Sequence, residues 1–239
     1  MQAYFQQVQS LIQEVSEKEM PVIQEVSSII AKQIRQSGIL QLFGCGHSSL
    51  LVQEAFFRAG GLVPVRPILI EPLMLHKGAL TSSKNEKDPN FVAEHIKDFD
   101  FQKEDVLIII STSGRNIVPI DVALLAKKAG VFTISLQSLN YKDQPSRHSS
   151  QKRLEDIVDV VLDTHVPLGD GVLNNEGVQY GPVSTTIGAT ILNALTSQVI
   201  DNMAQNYQVL PVFGSGNVEN ADKNNDTLIK RYQHRINFN

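Results

Sequence analysis

Two short turns concentrate the residues able to do chemistry, "GCGHSS" at 44–49 and "STSGRN" at 111–116. The first follows a buried-looking run, "ILQLF", and leads into a helical pattern, so its N–H groups point at the carboxyl edge of a sheet and offer an anion site. Gly46 lets the backbone approach a ligand, His47 touches that ligand or caps the turn, and Ser48 and Ser49 either cap the helix or donate to phosphate oxygens. The second turn clusters the hydroxyls of Ser111, Thr112 and Ser113, frees the backbone at Gly114, and adds Arg115 or Asn116 as a charge or further donor. Either turn alone reads equally as an ordinary helix cap. Two of them at neighbouring strand ends converge on one ligand that carries a phosphate and several hydroxyls. A dinucleotide fingerprint needs a third glycine where Ser49 stands, and a P-loop needs a Gly-Lys-Ser/Thr that is missing.

Carboxylates and histidines near those turns supply candidate acids and bases. Glu54 and Arg58 are four apart on the helix that opens at the first turn. They form either a surface or subunit-interface ion pair of about 0.5 kcal/mol or a base kept ionised by its arginine. Glu71 and His76 follow the second strand in "IEPLMLHKGAL", and His148 lies in "SRHSS" beside Arg147. A histidine titrates near neutrality and serves as acid or base. His95 and His234 read as surface residues, and Cys45 as a small spacer between two glycines. Ser184 to Thr186, after "YGP", read first as caps of the last helix and second as sugar contacts.

The elements that must hold these residues follow from apolar spacing. Positions 4, 5, 8, 11, 12 and 15, then 22, 23, 26, 29, 30 and 34, predict two helices parted by Pro21. Continuous apolar runs at 39–43, 62–70, 105–111, 130–136 and 156–164 predict parallel strands covered on both faces. Helices are expected at 48–59, 90–98, 116–129 and 183–205, and a short one in "NNDTLIKRYQHRI". The alternation specifies an α/β, three-layer αβα sandwich around a five-stranded parallel sheet. The expected organisation is one structural domain: a helical extension at 1–37 packing on the core or a partner subunit, a ligand-binding core at 38–206, and a tail at 207–239 with a short helix. The connections at 71–90 and 138–156 are long and lie where such folds bind ligands.

Composition narrows the class. With 239 residues, 42% hydrophobic and 19% charged, the chain buries a sizeable core and is not a disordered polymer. A net charge of −4 offers no global basic field for nucleic acid. One cysteine permits no internal disulfide, and no apolar run reaches the roughly 20 residues of a membrane span. A cytoplasmic protein without a membrane partner is expected.

The paired turns, each between a hydrophobic strand and a helix, resemble the sugar isomerase (SIS) domain of phosphosugar isomerases and phosphosugar-binding proteins. The runs "FFRAGGLVPVRPIL", "SRHSSQKRLEDIVDVVLD", "GPVSTTIGATILNAL" and "RYQHRI" extend the resemblance to an uncharacterised bacterial family of SIS proteins, some of them labelled phosphoheptose isomerases. The resemblance implies a flavodoxin-like sheet, phosphate binding by Ser48 and the Ser111–Ser113 loop, and a homodimer or homotetramer with N-terminal helices at its contacts. Phosphoheptose isomerases place a histidine and a glutamate six and ten residues after the phosphate-binding serine; here those places hold Glu54 and Arg58. Their further Gln and His on the last helix have no counterpart between 182 and 197. No metal and no other cofactor is therefore expected. The leading expectation is a sugar-phosphate isomerase working by enediol-type proton transfer with Glu54, Glu71, His76 and His148 as catalytic candidates. The others are a phosphosugar sensor, although no helix-turn-helix precedes the first strand, and a lyase or etherase acting on an amino sugar phosphate.

Overall fold

The computed structural model describes residues 2–204, 209–219 and 224–239. Five short strands, β1 (Leu40–Gly44), β2 (Val65–Ile68), β3 (Val106–Ile110), β4 (Phe132–Gln137) and β5 (Val160–Asp163), form one parallel sheet in the order β2-β1-β3-β4-β5. Period-2 alternation divides their apolar side chains between two cores. Leu40, Leu42, Val106, Ile108 and Ile110 face one side, against α1 (Gln2–Arg35), α2 (Ser48–Glu54) and the long α6 (Ser184–Ala204). Phe43, Leu107 and Ile109 face the other, against α4 (Phe91–Glu94) and α5 (Ile117–Lys128). Strands covered on both faces are apolar at most positions, which is why they read as near-continuous runs. The three-layer αβα sandwich expected from the sequence is thus the architecture observed.

Several details differ. The two N-terminal helices are one continuous helix, with Pro21 inside it. Pro21 and Glu17, whose carbonyl loses its partner, both lie on the exposed side, so that carbonyl is open to solvent while Val15, Ile23, Val26, Ile30 and Ile34 keep one buried stripe across the proline. α2 stops at Glu54 rather than 59. Phe57 turns left-handed there (φ 47°), and Phe56 and Phe57 leave the helix axis to meet Phe213 and Phe238. β2 is shorter than 62–70, because Pro64 and Pro67 lack a ladder donor and suit only an edge strand. β5 starts at 160, after a 3₁₀ turn at Leu154–Asp156, and the 90–98 helix is α4 followed by a 3₁₀ turn at Ile96–Asp98.

Two elements have no forerunner in the apolar pattern. α3 (Ala79–Asn85) lies inside the 71–90 connection. An antiparallel hairpin, β6 (Gly171–Asn175) and β7 (Val178–Pro182), turns on Glu176 and Gly177, both at positive φ, as a two-residue hairpin loop requires. α7 (Asn225–Tyr232) brings Leu228 and Tyr232 against Ile39 and Val63. The expected helix end at 205, the boundary at 206/207 and part of the polar stretch before α7 lie outside the described residues. Among the described residues no helix is long and apolar enough to cross a membrane.

One surface cluster ties three elements together. Asp159 accepts from the Thr133 amide (2.8 Å) and hydroxyl (2.9 Å) through one oxygen and from Lys127 Nζ (2.5 Å) through the other. Burial pushes its carboxyl up, but the Lys127 and Thr133 bonds outweigh burial and hold it below the usual aspartate range. A depressed folded-state pKa contributes stability above the unfolded value that is lost as pH falls through the folded one. Asp159→Asn is expected to lower unfolding free energy by about 2 kcal/mol at pH 7 and to remove that acid-limb loss; urea titrations at pH 7 and pH 3 measure both.

Candidate active site

In an open sheet of order 2-1-3-4-5, the order of strand addition reverses between β1 and β3, and the crevice beyond their carboxyl ends is the general ligand position. β1 and β3 pair directly, Gly44 beside Ile110. Their following turns are "GCGHSS" and "STSGRN", which therefore meet. Cys45, Gly46, His47 and Ser48 from the first, and Ser111, Thr112 and Ser113 from the second, line one cavity of about 270 Å³.

The two turns are shaped by their glycines. An added Cβ on Gly44 would lie 2.8 Å from the Ser48 carbonyl oxygen, so only glycine lets α2 start this close to the strand end. Gly114 sits at φ +60°, and a Cβ there would meet Gln137 Oε1 at 2.6 Å. Arg153 braces the second turn from behind, donating from Nη2 to the Ser113 carbonyl at 2.6 Å and from Nε to Glu155 Oε1 at 2.5 Å. Among the described residues the N–H groups of His47, Thr112 and Ser113 have no internal acceptor, and the hydroxyls of Ser48, Ser111, Thr112 and Ser113 border the cavity. Unpaired donors around a concavity suit an oxyanion. The start of α6 closes the far side, with Ser184 and Thr185 beside His47, Ser48 and Thr112. Ser184 is itself bound by Asp170, whose oxygens accept from its amide (2.7 Å) and hydroxyl (2.9 Å). That arrangement is a helix cap, and Thr185 is left facing the turns.

The third wall comes from the 71–90 connection: Leu75, Ala79, Ser82, Ser83 and Glu86. Ser82 donates to the Leu73 carbonyl at 2.7 Å. Among the described residues Glu86 is the one carboxylate lining the cavity. Burial raises its pKa above the usual carboxylate range, opposed by the Asn116 hydrogen bond and by Lys87 and Arg147. The Cys45 thiol is pushed well up by burial and then by Glu86, so it stays protonated and is no nucleophile.

Of the residues singled out from sequence, Gly46, His47, Ser48, Ser111, Thr112 and Ser113 are brought together. Ser49 is buried and donates to the Gly46 carbonyl at 2.8 Å, stiffening the turn. Gly114 shapes the second turn. Asn116, 9% exposed, accepts from Arg147 Nη1 at 2.6 Å and meets Glu86. The remaining candidates lie outside the cavity. Glu54 and Arg58 pair with each other at the far end of α2. Glu71 is exposed and pairs with Lys77 at 2.9 Å, and His76 is exposed on the next 3₁₀ turn. His148 is held between Asp121 Oδ1 (3.0 Å) and Ser150 Oγ (2.7 Å). Glu86 was missed because nothing in its local pattern marks it; the signal was the length of the 71–90 connection at the carboxyl edge. Among the described residues no three His, Cys, Asp or Glu side chains are grouped to hold a metal ion.

The SIS domain family profile matches residues 3–138. This chain belongs to the SIS domain family. Within it the chain is 56% identical over 238 residues to a UPF0309 protein in the nagA 3′ region of Lysinibacillus sphaericus, covering 100% of this chain and 98% of that one. The SIS domain also resembles the solved structure of phosphoheptose isomerase GmhA from Neisseria gonorrhoeae, with TM-score 0.56, 15% identity and coverage of 82% and 95% of the two chains. The Vibrio vulnificus NanR protein complexed with ManNAc-6P is a second such neighbour, with TM-score 0.50, 15% identity and coverage of 84% and 65%. At these identities both neighbours speak for the SIS fold, and they agree with the resemblance read from the two turns.

Proposed function

We propose that this SIS domain binds a phosphorylated sugar, with the phosphate held by Ser48, Ser111, Thr112 and Ser113 and the sugar extending toward the 71–90 wall, and that it interconverts an aldose and a ketose phosphate. The observation that carries the reading is the convergence of the two hydroxyl-bearing turns on one cavity at the sheet's switch point. The isomerase half draws support from the Neisseria neighbour's activity. A sensor is the second reading, in keeping with the NanR neighbour, a protein complexed with ManNAc-6P. Exposed Phe5, Ile12 and Met20 on α1, with Val178 and Tyr180 on the hairpin, support self-association of the chain, which sedimentation measures.

The test is thermal unfolding with pentose to heptose phosphates and their unphosphorylated counterparts. At a hundred times Kd a ligand adds about 2.7 kcal/mol, or roughly 5–10 °C for a chain of this size. Phosphorylated sugars are expected to give that shift and free sugars none. Ser48→Ala with Ser113→Ala is expected to remove most of it; an undiminished shift in the double variant means the phosphate lies elsewhere. Binding without turnover across the panel selects the sensor.

A further inference from the structure

Resting on the sugar-phosphate reading above, we propose that Glu86 is the acid–base group of this site, the carboxyl that carries a proton between adjacent carbons of the bound sugar. Two turns supply the cavity with hydroxyls and amides, groups that bind but do not exchange a carbon-bound proton near neutrality. A carboxylate does, and among the described residues Glu86 is the one on the cavity wall. The other titratable cavity residues are Cys45, a buried thiol, and His47, which is exposed.

Its position is over-determined. The Glu86 amide donates to the Ser82 carbonyl at 3.0 Å, and its own carbonyl accepts from the Val118 amide at 3.1 Å, on the first turn of α5. α5 is the helix that follows the second turn, so the carboxyl-bearing wall and the hydroxyl-bearing wall share a backbone bond. The side chain meets Asn116, which Arg147 holds from the opposite side. The charged and titratable groups that face it are Cys45 from the first turn, Lys87 beside it and Arg147 from the 138–156 connection. Burial lifts its pKa while Asn116, Lys87 and Arg147 restrain the rise, the direction in which a carboxyl that exchanges protons is tuned.

The step balances without a co-reactant. Glu86 carboxylate takes the proton from the carbon next to the carbonyl; the C–H pair becomes the C=C bond of an enediol, and the carbonyl oxygen takes a proton. The acid then returns its proton to the neighbouring carbon while the other enediol oxygen releases one and re-forms a carbonyl.

The experiment follows deuterium uptake at C1 and C2 of pentose to heptose phosphates by NMR in D₂O, alongside ligand-induced Tm shifts, for the full chain and for Glu86→Gln and Glu86→Asp. Expected for Glu86→Gln is a loss of exchange of at least about 100-fold with the phosphosugar Tm shift retained, and for Glu86→Asp a smaller loss on the same panel. A raised folded pKa means stability present below the unfolded value and lost as pH rises through the folded one, so Glu86→Gln is also expected to flatten that loss. Exchange undiminished in Glu86→Gln, or in Glu86→Asp should the first variant not fold, overturns the assignment. A wild type that binds yet exchanges nothing overturns it while leaving phosphosugar binding intact, and a wild type that no phosphosugar stabilises overturns both.

Discussion

Gly44→Ala is expected to abolish phosphosugar binding in a chain that still folds. The added methyl would lie 2.8 Å from the Ser48 carbonyl oxygen and 2.9 Å from both its carbonyl carbon and its Cβ. These are atoms of the first turn itself, two of them backbone, so α2 must move away from β1 to admit the methyl. A shift of half an ångström or more displaces the Ser48 hydroxyl and the His47 amide together, and affinity that depends on several convergent donors falls with all of them. Thermal shift with a phosphosugar that stabilises the wild type is the measurement; a full shift in Gly44→Ala shows that the turn does not hold the ligand. The sheet buries its apolar residues on either side of this position, so overpacking there is expected to cost about 1–3 kcal/mol.

Asp105→Ala is expected to cause the largest loss of stability, about 3–5 kcal/mol. The carboxylate is fully buried at the amino end of β3. One oxygen accepts from the Ile39 amide at 3.0 Å, and the other from Gln41 Nε2 (2.7 Å), the Gln102 amide (2.9 Å) and Arg235 Nη2 (2.7 Å). Arg235 is only 7% exposed and its other carboxylate, Asp100, lies at 3.6 Å, so removing Asp105 leaves a buried charge poorly paired and takes the acceptor from the Ile39 and Gln102 amides. Asp105→Asn keeps the shape but cannot accept all four and is expected to fall between. Chemical denaturation measures the loss; a change under 1 kcal/mol in Asp105→Ala would mean that water reaches these donors.

The sheet was legible because a strand buried on both faces is largely apolar: β3 is so throughout, and Gln41 in β1 and Thr133, Ser135 and Gln137 in β4 are buried polar interruptions. The two turns were legible for a related reason: Gly44, Gly46 and Gly114 sit where a side chain would collide or the backbone is left-handed, so they stand out beside apolar strands. Pro21 misled, since a proline reads as a break although a solvent-facing one costs a long buried helix a single hydrogen bond. The hairpin was illegible because its sequence, "GVLNNEGVQYGP", alternates weakly and its order comes from a tight turn and from leaning on α1, where Tyr4 donates to the Pro182 carbonyl at 2.9 Å. Glu54 and Arg58 were legible as a pair and are one. Glu86 was illegible for a different reason: its relation to the cavity depends on how α3 folds back over the carboxyl edge, a long-range fact that no local spacing encodes.

The packing of α1 on α6 sets a condition on how the chain is made. α1 buries Val15, Ile23, Val26 and Ile30 in the same core as Ile187, Ile191, Leu195 and Val199 of α6, and Glu19 reaches β5, where it accepts from the Asp163 amide at 3.1 Å. α1 is made before both and therefore waits for a strand and a helix made roughly 125 to 170 residues later, about 6 to 34 seconds at ordinary elongation rates. Through that interval its apolar stripe has no native cover, so translation speed and chaperone supply bear on the yield of folded protein through α1 before any cavity exists to bind a ligand.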